Sequence, residues 1–269
     1  MAYRFKHMKT TDNTILITGG GSGIGRALAE AFHRLGNQVI IAGRGQKTLD
    51  ETAAANPGMK SLALDVSDPK SIESFAARLT HDYPSLNVLL NNAGIMRPEN
   101  LLEQPFDLST AESTITTNLL GPIRLTAALL PSLRKQPRAT IMNVSSGLAF
   151  VPLAMTPTYC ATKAAIHSYT QSLRYQLKST SVEVIELIPP YVQTTLMGDQ
   201  QAADPRAMPL QEFIDEVMSI LQTQPDAKEV CVKNVQPLRF AAEGGQEIRT
   251  VLSTVERLHA LVISEDLLR

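Results

Sequence analysis

Residues 14–25 read TILITGGGSGIG: a β-branched, apolar run, Thr14–Thr18, that breaks directly into glycines. A helical stretch, RALAEAFHRLG (26–36), follows and stops at Gly36, and a second apolar strand, QVIIA (38–42), comes next. Continuous apolar strands separated by amphipathic helices make a parallel sheet covered on both faces. The opening reads as the first β-α-β unit of a doubly wound domain. The expected fold class is α/β: a doubly wound parallel sheet (Rossmann-like) with helices on both faces.

Gly19 permits a tight turn out of the strand, Gly23 lets the backbone approach a ligand, and Gly25 lets the new helix pack on the sheet. N–H groups of that helix's first turn then face bound phosphate, aided by the macrodipole. The spacing, G-x-x-x-G-x-G, is one residue longer at the front than G-x-G-x-x-G. A glycine turn without a ligand has the same composition, so it is the placement between strand and helix that points to phosphate. No Lys-Ser/Thr pair follows, which removes the nucleoside-triphosphatase reading. The second strand ends in Ala42-Gly43-Arg44. A carboxylate there would accept from the adenosine ribose hydroxyls and repel a 2′-phosphate. Arg44 instead offers a planar, permanently charged fork, unless it is a surface residue closing a turn. The missing carboxylate tilts the choice toward NADP(H) over NAD(H).

The pattern repeats. Lys60–Leu64 is a third strand with Asp65 at its end, where the carboxylate could reach an adenine amino group. Asp68 suits a helix cap before Pro69 and the helix Ser71–Asp82. Asn87–Leu90 runs into Asn91-Asn92-Ala93-Gly94, small residues over which a cofactor can lie and amides that can bridge strand ends. Ile95–Glu112 is loop-like, with Pro98 and Pro105, and a long helix runs from near Leu108 to Leu133. Asn118 sits among its apolar residues and needs a specific partner, catalytic or merely structural. Pro122 predicts a distortion beside it. Strands at Ala139–Val144, Val182–Leu187 and Glu229–Val232 and helices at Leu210–Leu221 and Arg249–Val262 complete the chain. Thr194 could hydrogen-bond a nicotinamide carboxamide or a phosphate. Residues 195–209 lack a firm period and read as a mobile lid. One domain, 14–269, follows a loosely ordered lead-in, 1–13.

Chemistry concentrates in SGLAFVPLAMTPTYCATK, residues 146–163. Tyr159 and Lys163 lie one helical turn apart on one face. A nearby ammonium favours phenolate, lowering a pKa ordinarily near ~10, and such a phenol can exchange a proton with an oxygen near neutral pH. Ser146, on the loop before the helix, could hold that oxygen. A half-exposed Tyr and a surface Lys would share the spacing, so the rest of the chain must decide. Leu148, Phe150, Met155, Tyr191, Leu196 and Met197 are the expected lining of a mostly apolar substrate pocket.

Composition narrows the classes further. The chain has 269 residues, 43% hydrophobic and 19% charged, with a formal net charge of -1. Near-neutral charge and an aromatic content of 5% without Trp argue against nucleic-acid and membrane partners. Neither a signal peptide nor a run of ~18 apolar residues is evident. Cys160 and Cys231 are far apart without metal-ligand spacing, and the five His are scattered, so reduced thiols, no metal and a cytoplasmic setting are expected.

Taken in order, TGGGSGIG (18–25), Asp65-Val66, NNAG (91–94), Asn118, Ser146 and YCATK (159–163) resemble the short-chain dehydrogenase/reductase family over roughly residues 14 to 200. The resemblance implies that Asn118, Ser146, Tyr159 and Lys163 are catalytic, with Ser146 rather than Ser145 thirteen residues before the tyrosine. It implies cofactor contacts at Gly19, Gly21, Ser22, Gly23, Ile24, Gly25, Arg44, Asp65, Val66, Asn92, Ala93, Gly94, Tyr159, Lys163, Pro189, Val192 and Thr194. Hydride would pass between the nicotinamide and a carbonyl or secondary alcohol. Tyr159 would move the proton, Ser146 would hold the oxygen, and Lys163 would tune the phenol and bind the nicotinamide ribose. The Asn118 backbone carbonyl would anchor a water linking Lys163 to solvent.

Two departures stand out. Pro189-Pro190 replaces the family's Pro-Gly; proline cannot adopt positive φ and lacks an N–H, so the substrate side is expected to be reshaped while Val192 and Thr194 retain the cofactor. The C-terminal part lacks the usual glycine-rich final strand. Its PLRFA element (237–241) resembles a subgroup labelled after an oxidoreductase encoded with D-alanylation genes of Gram-positive bacteria. The expected assembly is a homodimer, with a tetramer open. The alternative class is a non-catalytic dinucleotide-binding sensor or structural protein; an epimerase or lyase on the same fold ranks behind simple redox chemistry.

Overall fold

A computed structural model describes residues 8–105 and 107–244. Its strands are β1 (Thr14–Thr18), β2 (Gln38–Gly43), β3 (Lys60–Ala63), β4 (Val88–Asn91), β5 (Ala139–Val144), β6 (Val182–Ile188) and β7 (Glu229–Cys231). They form one parallel sheet in the order β3-β2-β1-β4-β5-β6-β7. The helices are α1 (Gly23–Arg34), α2 (Gln46–Ala55), α3 (Pro69–Asp82), α4 (Ser109–Ile115), α5 (Gly121–Leu133), α6 (Pro157–Gln176), α7 (Asp199–Ala203), α8 (Leu210–Thr223) and α9 (Gln236–Arg239). β1, β4, β5 and β6 are wholly buried, as strands covered on both faces must be. One core, including Phe32, Phe213 and Val217, joins α1 and α8 to one face. Another, including Phe75, Leu129 and Leu173, joins α3, α5 and α6 to the opposite face. Among the described residues no helix is long and apolar enough to cross a membrane.

The doubly wound parallel sheet is therefore as expected, and strand order reverses between β1 and β4. In open α/β sheets that reversal opens a crevice at the carboxyl ends of the strands. Local signals also held: Asp68 accepts from the Lys70 N–H at 2.9 Å and caps α3, with Pro69 in its first turn. Gly36 ends α1 at φ +81°.

Two local expectations need correction, and one gains detail. Residues 8–13 are not a loose lead-in. Met8 is buried, its N–H donating to Glu183 at 2.7 Å, and Asn13 is tied to Asn37 and Asn87 at 3.0 Å each. These amides close the amino ends of the strands, a long-range arrangement that no local pattern announces. The long helix carries the distortion that Pro122 predicts, a π-helical segment, Thr116–Leu120, between α4 and α5. Residues 195–209 contain α7, and Val192 pairs with Met208 across their ends. The helix expected at Arg249–Val262 lies outside the described residues.

Candidate active site

A cleft of about 1300 Å³ opens where the strand order reverses. The turn after β1 lines it with Gly19, Ser22, Gly23 and Ile24, and the turn after β4 with Asn92, Ala93 and Gly94. Ser146 comes from the end of β5, Tyr159 and Lys163 from α6, and Pro189, Val192 and Thr194 from the loop after β6. The sheet thus gathers residues from four widely separated stretches at one edge.

The glycine turn is built by close approach. Gly19 and Gly23 have φ of +69° and +51°, conformations that favour glycine. A Cβ on Gly25 would collide with the Gly19 carbonyl and the Asn92 amide, so its role is packing, as expected. Gly21 faces Thr48 of α2, 2.8 Å from where a Cβ would sit. Thr18, which opens the glycine motif but is not among the expected site residues, locks the two turns together. Its Oγ1 accepts from the N–H groups of Asn92 and Ala93 at 3.0 Å, while Asn92 Nδ2 donates to the Thr18 carbonyl at 2.9 Å.

Arg44, Asp65 and Val66 lie beyond the cleft lining. Arg44 is exposed just past the β2 tip. Asp65 Oδ1 accepts from Ser67 N–H and Oγ at 2.9 and 2.7 Å; these bonds, helped by the Arg44 charge, hold the carboxyl below its usual range. Val66 is buried, and its carbonyl would be 2.8 Å from a Cβ on Gly121.

Asn118 is buried within the π-helical segment. Its Oδ1 accepts from Ile95 N–H at 2.8 Å, and its Nδ2 donates to the Ile95 carbonyl at 2.8 Å and to Thr162 Oγ1 at 3.4 Å. The side chain is thus consumed in joining the loop after β4 to α6. Pro122, four residues on, has no N–H to give the Asn118 carbonyl, which accounts for the wider turn expected here.

Tyr159, Lys163 and Ser146 are all buried, at 6, 5 and 7% exposure. Lys163 Nζ lies 5.5 Å from the Tyr159 ring centre and donates to the Val144 carbonyl at 2.8 Å. The Ser146 hydroxyl is close enough to Tyr159 to favour its phenolate, and its Oγ accepts from Leu148 N–H at 3.1 Å. Ser145, in contrast, donates to the buried Glu186 at 2.5 Å. The electrostatics correct the expectation of a phenol pulled down by lysine. Burial pushes Tyr159 well above its ordinary range, the nearby Ser146 hydroxyl working against it. Burial likewise lowers Lys163 to about 8, opposed by the Glu186 charge. A dry site penalises phenolate and ammonium alike, and here that outweighs their proximity.

Of the expected substrate lining, Met155, Leu196 and Met197 face the cleft. Phe150 instead packs edge-on against His167 at 4.7 Å, Tyr191 donates to Asp204 at 3.1 Å, and Leu148 joins a small apolar cluster near Leu238. The loop after β4 contributes polar lining that sequence reading missed, including Arg97 and Glu99. Glu99 accepts from Thr158 N–H at 3.1 Å and Oγ1 at 2.7 Å, bracing the first turn of α6 from another loop. Gln201 Nε2 donates to the Val192 carbonyl at 2.8 Å and to Thr194 Oγ1 at 3.1 Å, fastening residues 195–209 to the cleft wall.

A family model described as short chain dehydrogenase matches residues 13–205. An oxidoreductase of Bacillus subtilis (strain 168), DltE, is 42% identical over 237 residues, covering 87% of this chain and 93% of that protein. A short chain dehydrogenase from Burkholderia cenocepacia J2315, solved in complex with NADP, superposes with a TM-score of 0.77 at 24% identity, covering 91% of this chain and 99% of that one. A 3-ketoacyl-(acyl-carrier-protein) reductase from Brucella melitensis, complexed with NADH, superposes at 0.72 and 24% identity, covering 82% and 96%.

The depressed lysine has a measurable consequence. Between pH ~8 and ~10.5 the unfolded chain holds a proton that folded Lys163 has released, so stability rises with pH in that window. Urea unfolding at pH 7.5 and 9.5 should show wild type gaining about 2 kcal/mol relative to K163M. Parallel changes in the two proteins would contradict the burial argument.

Proposed function

The chain belongs to the short-chain dehydrogenase family, and we propose that it is an NADP(H)-dependent oxidoreductase acting on a carbonyl or secondary alcohol. One observation carries the reading: Tyr159, Ser146 and Lys163 are buried together in the wall of one cleft, beside a glycine turn at the sheet's switch point. The residues fit a dinucleotide. Gly19, Ser22, Gly23 and Ile24 line the cleft, and a Cβ added to Gly23 would touch Thr194, another lining residue, at an ordinary 3.5 Å.

Bound NADPH supplies the hydride for a substrate carbonyl carbon. The protein's part is the proton and the alignment. Tyr159, kept protonated by burial, is in the form that reduction consumes; it gives its hydroxyl proton to the carbonyl oxygen while Ser146 holds that oxygen in place. Lys163, titrating near 8, is mostly cationic at neutral pH and supports proton return to the phenol. Exposed Arg44 and the absence of a carboxylate at the β2 tip favour a 2′-phosphorylated dinucleotide. Met96, Met155, Leu196 and Met197 beside Arg97 and Glu99 suit a substrate of mixed polarity. Residues 195–209, their ends joined by the Val192–Met208 bridge, cover the substrate side of the cleft as the candidate lid. The free thiols of Cys160 and Cys231 agree with a reducing cytoplasmic setting.

We infer a homodimer as the working unit. Leu108 and Ile115 are exposed beside an apolar groove floored by Leu119, Ala161 and Ala165, and a second copy would cover it.

Tyr159→Phe should lower turnover by at least ~10²-fold while leaving NADPH affinity largely intact; unchanged turnover removes Tyr159 from the chemistry. Fluorescence titration should show NADPH binding tighter than NADH, with Arg44→Ala narrowing the gap, and equal wild-type affinities would refute the Arg44 reading. Sedimentation equilibrium should give twice the mass of one chain, and a monomer at micromolar concentration would remove the groove as an interface.

A further inference from the structure

Tyr159 and Lys163 are the first two members of a longer stripe on α6. His167 and Gln171 continue it at the same four-residue spacing, so all four share a helix face. His167 Nδ1 lies 2.8 and 3.0 Å from the two Glu186 oxygens, and Gln171 Nε2 lies 3.0 Å from His167 Nε2. Glu186 is fully buried in β6 and also accepts from Ser145 Oγ at 2.5 Å. Ser145 stands between Val144, whose carbonyl anchors the Lys163 ammonium, and Ser146. One carboxylate therefore touches the support of both groups.

A buried carboxylate is costly without hydrogen bonds and counter-charge. From α6, His167 bonds it and Lys163, one turn earlier, feels its charge; from β7, Glu229 and Cys231 lie alongside; from α9, Arg239 reaches Glu229. His167, Glu186 and Glu229 present ligand atoms within 4.8 Å of one another. Arg239, however, donates to Glu229 at 2.6 and 3.2 Å, placing the protein's own cation at that end. Lys163, one turn before His167, also responds to Glu186, whose charge opposes the loss of the lysine's proton.

We propose that Glu186 is a positioning residue of the reaction site: bonded to Ser145, next to the Val144 carbonyl that anchors Lys163, and to His167, one turn beyond Lys163, its buried carboxylate is the counter-charge beside the lysine and steadies the strand end bearing Ser146. The activity readout of this assignment rests on the oxidoreductase reading; its electrostatic readout does not.

Glu186→Gln keeps the volume and an oxygen acceptor for Ser145 while removing the charge. Lys163 should then release its proton at lower pH. The alkaline limb of kcat/KM for NADPH-dependent carbonyl reduction should move down by about one pH unit, a roughly tenfold loss on that limb. NADPH affinity at pH 6.5 should stay within about threefold of wild type. Without any turnover assay, the pH at which unfolding stability begins its Lys163-dependent rise should fall by the same amount in E186Q, and the rise should be absent from K163M/E186Q. Ser145→Ala, which keeps the charge, should leave that onset in place while lowering kcat. An onset in E186Q that coincides with wild type overturns the proposal, as does an equal displacement in S145A. Should E186Q not fold, E186D carries the test by withdrawing the charge one methylene from Lys163: a smaller displacement in the same direction supports the assignment, and none overturns it. A protein that reduces no carbonyl yet shows the displaced onset would refute the oxidoreductase reading alone.

Discussion

A lysine ammonium held against the Val144 carbonyl, almost out of reach of water, is the constraint on which the site depends. Its dehydration is unfavourable, and the surrounding architecture limits that cost. β5 supplies the acceptor carbonyl at its carboxyl end, where a parallel sheet leaves backbone groups free of the ladder. α6 delivers the side chain to that carbonyl because its first turn is fixed from outside by Glu99. A deeper lysine would be neutral, and a shallower one would be strongly hydrated and weakly coupled to the phenol. A titration near 8 lies between those limits.

The same economy explains a polar row inside an apolar sheet. Asn91, Asn143, Glu186 and Glu229 are register partners across β4, β5, β6 and β7. Asn91 donates to Asn143 and Thr126, Asn143 to Thr170, and Glu186 and Glu229 accept from His167 and Arg239. Partly satisfied, such a row would weaken the core; with each member hydrogen-bonded it stiffens the strand ends. Its position toward the carboxyl end of the strands is mechanically useful. The loops that carry Asn92, Ser146 and Pro189 leave the sheet just beyond it, so rigidity in the row becomes precision at the cleft.

Much of this was legible in the chain, and the boundary has a physical character. Strand–glycine–helix order predicted the doubly wound sheet because each element carries its own period and punctuation. Asn118 announced a partner because an amide among apolar helix residues must be satisfied, and Pro122 announced a distortion because it lacks an N–H. Contacts joining distant stretches stayed hidden. Glu99 and Thr158 are 59 residues apart, and nothing around Glu99 distinguishes it from a surface glutamate. Gln201 looked like part of an unstructured segment because its two acceptors, on Val192 and Thr194, meet it only after the chain has turned back. Phe150 and Tyr191 were apolar enough for a pocket, yet side-chain direction in loops follows tertiary packing.

The tyrosine–lysine pair marks the deepest form of that boundary. Spacing along a helix gives the sign of an interaction: a cation one turn from a phenol favours phenolate. It does not give the competing term, because burial depends on what the folded chain lays over both groups. Here the covering elements make desolvation the larger effect, raising the phenol and lowering the amine together. The two shifts have complementary uses. A phenol that resists ionisation is a secure proton donor, and an amine that gives up its proton more readily than a surface lysine can restore it. Charge that enters the cleft with a ligand would shift this balance again. The protonation states of this site are thus governed by how it is covered as much as by which residues line it.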